Sequence, residues 1–158
     1  MTPMPIHLDV LGIFSTPWFW SAFTGWTLSQ SAKMLAGFIQ TRRLDVRYLV
    51  STGGMPSAHS AMTCGLAASI GLTEGFGSVA AILAFSFAGV TMFDAAGVRR
   101  AAGQQARILN QMIDDLFVDH HFSEQRLKEL LGHTRLEVFV GLILGVLCAI
   151  AITAGWPA

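Results

Sequence analysis

Residues 53–61 combine the side chains of an anion-binding site: two glycines, a proline, two serines and a histidine. Glycine lets backbone N–H groups come close to a ligand, so Gly54 is a candidate substrate contact. Pro56 suits the first turn of a helix. Ser57 and His59 would then lie where free N–H groups and the helix dipole favour an anion, and a histidine there can protonate a leaving group. The plainer alternative is a helix start with a capping serine and an incidental histidine.

The composition of the chain around this stretch is that of a membrane protein. Only 13% of the 158 residues are charged, and the mean hydropathy of +0.54 argues against a soluble globule. The formal net charge of zero predicts no nucleic-acid partner. Both cysteines, Cys64 and Cys148, lie in apolar runs and are expected as small buried side chains rather than a disulfide or metal pair. The lack of Lys and Arg before the first apolar run argues against a cleaved signal peptide.

Four apolar segments predict membrane spans, over about 18–38, 56–72, 78–93 and 138–156. The sequence therefore predicts an all-α fold, an integral membrane four-helix bundle in one domain, 1–158. A helical cytoplasmic insertion over 94–136 separates helices three and four. The insertion shows an apolar stripe at helical spacing, formed by Ala102, Ala106, Leu109, Ile113 and Leu116.

Two further patterns concern the end of the insertion and the last span. Ser123 could cap a short helix through Leu131, closed by Gly132. In the last span, Gly141 and Gly145 have a spacing that packs either another helix or a second copy of the chain. Four helices are few to close a site, so we expect that a homodimer could complete it.

All ten Lys and Arg residues fall on one side of this arrangement. The positive-inside rule places that side in the cytoplasm and both termini outside, in what we expect to be a bacterial inner membrane. Three stretches then share the cytoplasmic side: 53–60, 94–100 and 132–137. They bring two histidines, arginines, a serine and Lys33 towards one place, although Lys33 could instead snorkel to the headgroups.

This set of side chains is what attack on a phosphate needs. One imidazole makes the covalent bond, a carboxylate orients it, and a second imidazole protonates the departing oxygen. Guanidinium groups and a lysine hold the non-bridging oxygens, without a metal.

The same residues carry a resemblance to a known family. Pro56-Ser57-Ala58-His59 stands where that family has Pro-Ser-Gly-His, and His133 is followed after four positions by the acid Glu137. Over about 33–145 the chain resembles the divergent branch of the type-2 phosphatidic-acid phosphatases, which are related to vanadium-dependent haloperoxidases. It departs from the parent pattern at Ala58 and Glu137, and in the more than thirty residues between Arg100 and His133.

The resemblance implies a membrane phosphatase that needs no cofactor and hydrolyses a lipid phosphate or pyrophosphate through a phosphohistidine. It implies His133 as the nucleophile, Glu137 as its orienting acid and His59 as the general acid. The implied phosphate ligands are Lys33, Ser57, Arg99 or Arg100, and Arg42 or Arg43.

Other interpretations stay open at this point. The chain could be a non-enzymatic anion-binding or assembly module, or a Mg-dependent phosphatidyltransferase, although it lacks the paired Asp motif of that class. Peroxide chemistry has no support in the sequence. Among single residues, His133 could be a helix cap, Asp94 could pair with an arginine for structure, and His120 with His121 could be a solvated loop or a metal site.

Overall fold

The computed structural model describes residues 10–42, 54–116 and 133–157, and every regular element in those ranges is helical. A short 3-10 helix, Val10–Ser15, precedes α1, Pro17–Thr41. The other helices are α2 (Ala58–Glu74), α3 (Val79–Ala96), α4 (Val98–Leu116) and α5 (Arg135–Ala154). The all-α prediction is confirmed for these ranges. The short helix predicted over 123–131 and the His120–His121 pair lie outside the described residues.

Hydroxyl side chains fix where four of these helices begin. The N-caps of α1, α2, α3 and α5 are Thr16, Ser57, Ser78 and Thr134, and each accepts a hydrogen bond from a backbone N–H of the first turn. Ser57 therefore caps α2 from outside, and Pro56 precedes the helix instead of forming its first turn as predicted. α5 begins before the predicted residue 138 because Thr134 and Glu137 form a capping box.

α2 is the centre of the bundle. It packs against α1, α3 and α5, and α1 also packs against α5. Ten of its 17 residues are buried, and all ten are small: Ala58, Ser60, Ala61, Thr63, Cys64, Gly65, Ala67, Ala68, Ser69 and Gly71. Small side chains let helix backbones approach closely, so this helix is enclosed by its neighbours.

Glycines on the neighbouring helices mark the places where backbones meet α2. A Cβ on Gly25 of α1 would lie 2.9 Å from the carbonyl oxygen of Ala61. On α5, the space that a side chain would need at Gly141 and Gly145 is filled by the carbonyl oxygens of Ser57 and Ala61. The face of α5 that carries Gly141 and Gly145 therefore packs against α2 of the same chain.

These contacts also fix the helix directions. Gly25 and Trp18 of α1 meet Ala61 and Thr73 of α2, so the two helices are antiparallel; the Trp18 Nε1–H donates to Thr73 Oγ1 over 2.7 Å. α5 follows α2 in the same direction, because the start of each helix lies beside the start of the other. The end of α1 and the starts of α2 and α5 thus share one end of the bundle.

α3 and α5 expose large apolar side chains along their lengths. On α3, Val79, Val90 and Phe93 are 75%, 70% and 77% exposed. By length and composition, two described stretches are apolar enough to cross a membrane, Val79–Ile113 and Arg135–Ala154. α1 and α2 were also predicted as spans but are not among these stretches. α2 has only 17 residues, and the buried faces of both helices carry small and polar residues. The four-span arrangement stays a prediction.

α4 continues from α3 across Gly97, whose N–H bonds to the carbonyl of Phe93 and whose own carbonyl accepts from Ala101. Among the described elements it packs only against α3. The predicted apolar stripe lies on this helix, with Leu109 and Ile113 about half exposed, whereas Asn110, at the edge of that stripe, is buried. The helical insertion predicted from periodicity is therefore present over Val98–Leu116.

Candidate functional site

His133 is a buried histidine placed just before the N-cap of α5. Only 3% of its surface is exposed, and its backbone N–H donates to the carbonyl of Ala95 at the end of α3 over 3.0 Å. Its Nδ1 lies 2.9 Å from Oε2 of Glu137. The other ring nitrogen, Nε2, is buried and meets no hydrogen-bond partner within the described residues. The helix-cap interpretation of His133 is wrong, because Thr134 occupies the cap position.

Glu137 is held by the architecture of the helix start. Its Oε2 accepts from the Thr134 N–H over 3.0 Å, and its own N–H donates to Thr134 Oγ1. A carboxylate at this position also interacts favourably with the helix dipole. A carboxylate accepts hydrogen bonds, so the contact favours the tautomer in which His133 donates from Nδ1, and that tautomer has its lone pair on Nε2.

Ser57 connects the start of α2 to the same place. Its backbone N–H donates to the carbonyl oxygen of Glu137 over 3.0 Å. The first turns of α2 and α5 therefore lie side by side, and both present the positive end of a helix dipole. His59 lies in the first turn of α2 and is half-buried. These contacts bring Ser57, His133 and Glu137 together as predicted, and His59 lies two residues after Ser57 in the first turn of α2.

Lys33 enters the site from α1. Lys33 is only 4% exposed, so its ammonium group is buried and the snorkelling alternative is wrong. The opposite charge of Glu137 attracts it. Its stem runs past Gly54, where a Cβ would lie 3.9 Å from Lys33 Cγ and Cδ. Gly54 has a φ of 85°, a left-handed conformation that favours glycine. Both residues are therefore next to each other at the predicted site.

The arginines are less closely tied to the site than the sequence suggested. Arg42 ends α1 as an exposed cap with a φ of 56°, its N–H bonded to the carbonyl of Phe38. Arg100 lies in the first turn of α4 and is exposed. Arg43 and the side chain of Arg99 lie outside the described residues. Phosphate binding by any of these four side chains stays a prediction.

Two buried polar residues near the site were missed by the sequence analysis. Ser60 is fully buried, and its hydroxyl donates to Ser57 Oγ over 3.1 Å. Gln30 is 4% exposed, lies one turn before Lys33, and its Oε1 has no partner among the described residues. Their spacing could have revealed them. Ser60 lies three residues after Ser57, and Gln30 lies three residues before Lys33, so each pair shares one helix face.

The arrangement suits nucleophilic chemistry on an anion. An imidazole is oriented by a carboxylate through one nitrogen, while the other nitrogen is buried and has no hydrogen-bond partner in the described part of the chain. A lysine ammonium group and two helix starts supply positive potential beside it. Among the described residues, no group of three or more His, Cys, Asp or Glu side chains has the arrangement of a metal site.

Comparison with known proteins identifies a family for the chain. Residues 14–148 match the family described as the "Divergent PAP2 family". The uncharacterized membrane protein YuiD of Bacillus subtilis (strain 168) is 39% identical over 135 residues, covering 78% of this chain and 85% of that relative. No solved structure matches the chain. Lys33, Ser57, His59, His133 and Glu137 all lie within the matched range. The chain therefore belongs to the divergent PAP2 family.

Proposed function

We propose that the chain is a metal-independent membrane phosphatase that hydrolyses a lipid phosphate or pyrophosphate through a phosphohistidine intermediate. The observation that carries the proposal is His133, which is held by Glu137 at Nδ1 and has a buried, unpartnered Nε2 within the described structure. Membership of the divergent PAP2 family supports phosphate as the group that is attacked.

In the first half-reaction, the Nε2 lone pair of His133 attacks phosphorus. The bond from phosphorus to the ester oxygen breaks, and that oxygen takes a proton from the imidazolium of His59. Glu137 stabilises the positive charge that develops on the His133 ring, as the acid of a catalytic triad does. In the second half-reaction, water attacks the phosphohistidine, its proton passes to neutral His59, and orthophosphate leaves while His133 regains its lone pair.

The positive groups at the end of the bundle would bind the phosphoryl oxygens during both steps. Lys33 supplies a buried ammonium group, and the first turns of α2 and α5 supply backbone N–H groups. Charge on these oxygens increases in the transition state, so a fixed positive site stabilises that state more than the substrate.

The membrane arrangement is also a proposal. Four spans with both termini outside would place the site at the cytoplasmic face of a bacterial inner membrane, and a homodimer would help to close it. Four basic side chains support this, because Lys33, Arg42, Arg100 and Arg135 belong to the site end of their helices, whereas Arg107 lies in the middle of α4.

Cysteine labelling in intact cells tests the orientation. We expect Glu74→Cys, at the far end of α2, to react with a membrane-impermeant maleimide, and Asp45→Cys in the predicted basic loop to be protected. The native Cys64 and Cys148 are buried and give little background. Labelling of position 45 from outside would contradict the proposed topology.

Phosphate release from a panel of lipid phosphates and pyrophosphates, with and without vanadate, tests the activity. We expect turnover by the purified protein, an acid-labile phosphoprotein intermediate, and loss of both in His133→Ala. Glu74→Gln is the control, because that carboxylate is exposed at the opposite end of α2. Vanadate binding that requires His133, without turnover of any substrate, would instead favour the non-enzymatic anion-binding module.

A further inference from the structure

Ser57 and Ser60 form a hydroxyl pair at the start of α2. Both residues are completely buried. Ser57 Oγ accepts from the Ser60 N–H over 3.4 Å, as expected for an N-cap, and also from the Ser60 hydroxyl over 3.1 Å. One residue therefore directs two donors at a single oxygen.

This pair determines where the Ser57 proton can go. A hydroxyl has one donor and two acceptor lone pairs. Ser60 occupies both lone pairs, so Ser57 can take part in a further bond only as a donor. None of the described residues accepts that bond, and the group lies at the helix start that adjoins His133. A phosphoryl oxygen at this place would be the acceptor that Ser57 requires.

We propose that Ser60 is a positioning residue, which fixes Ser57 as a hydrogen-bond donor to a phosphoryl oxygen of the substrate. The inference rests on the proposed phosphatase function. Ser60 itself packs against α5, since a Cβ on Gly141 would lie 3.0 Å from the Cβ of Ser60. It therefore acts through Ser57 and does not touch the substrate.

Loss of the Ser60 hydroxyl leaves one Ser57 lone pair open. The Ser57 hydroxyl can then rotate, and its bond to the anion weakens. We expect Ser60→Ala to lower kcat/KM and to raise the dissociation constant of vanadate, each by roughly three- to tenfold, the effect of one neutral hydrogen bond. Ser60→Cys keeps the shape with only a weak donor and should show the same loss.

A double-mutant cycle tests whether Ser60 acts through Ser57. Once Ser57→Ala has removed the acceptor, adding Ser60→Ala or Ser60→Cys should change neither kcat/KM nor vanadate affinity further. The matched control is Ser69→Ala: this serine is also fully buried in α2, and its hydroxyl has no partner within the described residues. It should keep wild-type kinetics.

The outcomes separate this inference from the function on which it rests. Additive losses in the Ser57–Ser60 cycle, or an equal loss in Ser69→Ala, would overturn the positioning role while leaving the phosphatase intact. An unsubstituted protein that neither releases phosphate nor binds vanadate would overturn the proposed function, and the role of Ser60 with it.

Discussion

Gly141→Ala should disable the site by separating α2 from α5. The added Cβ would lie 3.0 Å from Ser60 Cβ and 3.2 Å from Ser57 Cβ, and closer still to the Ser57 carbonyl oxygen. Ordinary van der Waals contacts between such atoms are about 3.5–4.0 Å. These neighbours are backbone atoms and short side chains that cannot rotate away. The helices must therefore move apart by about 1 Å, a distance set by those contact radii.

This displacement lowers both the free energy of unfolding and the turnover. The hydrogen bond from the Ser57 N–H to the Glu137 carbonyl would lengthen from 3.0 Å to about 4 Å, beyond bonding range. Overpacking costs about 1–3 kcal/mol and the lost bond about 1 kcal/mol, whereas replacing a helical glycine by alanine returns about 1 kcal/mol. We expect a net destabilisation of about 1–3 kcal/mol and, since Ser57 shifts relative to His133, a loss of turnover near 10²-fold.

The assay is phosphate release together with thermal unfolding in detergent, compared between Gly141→Ala and Gly89→Ala. Gly89 lies on α3 with nothing within 4 Å of its would-be Cβ, so its variant should be up to about 1 kcal/mol more stable and fully active. A Gly141→Ala protein with the stability and turnover of the unsubstituted chain would refute the close contact between α2 and α5.

Three further changes have different expected results. Glu137→Gln should lower kcat by up to about 10⁴-fold, as the equivalent change does in a serine-protease triad, with little change in vanadate affinity, and an unchanged kcat would remove Glu137 from the mechanism. His59→Ala should slow release of a lipid alkoxide by about 10²–10⁴-fold and that of a nitrophenolate much less, so equal losses on the two substrates would argue against its role as general acid. Thr73→Val should remove the hydrogen bond from Trp18 and lower stability by about 1 kcal/mol in thermal unfolding without affecting turnover; an effect on kcat would show that the far end of the bundle influences the site.

Local features of the site are predictable from the sequence. His133 and Glu137 are four residues apart at a helix start, and Thr134 between them is the N-cap, so the pair forms within one helical turn. Ser57 followed by a run of small and apolar residues likewise indicates a helix start. These interactions depend on neighbours in sequence, which pattern analysis describes well.

Interactions between distant segments are not predictable in this way. The spacing of Gly141 and Gly145 suits any close helix partner, and only the fold identifies that partner as α2. The burial of Lys33 depends on Gly54 and on the charge of Glu137 from another helix. The apolar segments of the sequence likewise do not show that α2, with small residues on its buried face, is the helix that the others surround.

The central position of α2 has a consequence for the order in which the protein assembles. Its antiparallel partner α1 precedes it directly in the chain, so these two helices can pair as soon as both are made. Its parallel partner α5 comes about 80 residues later, which at 5–20 residues per second is a delay of about 4–16 s. Throughout that interval the backbone around Ser57 and Ala61 has no α5 to cover it, and His133, the proposed nucleophile, has not yet been synthesised. The docking of α5 is therefore a late event that completes the helix bundle and the candidate site together.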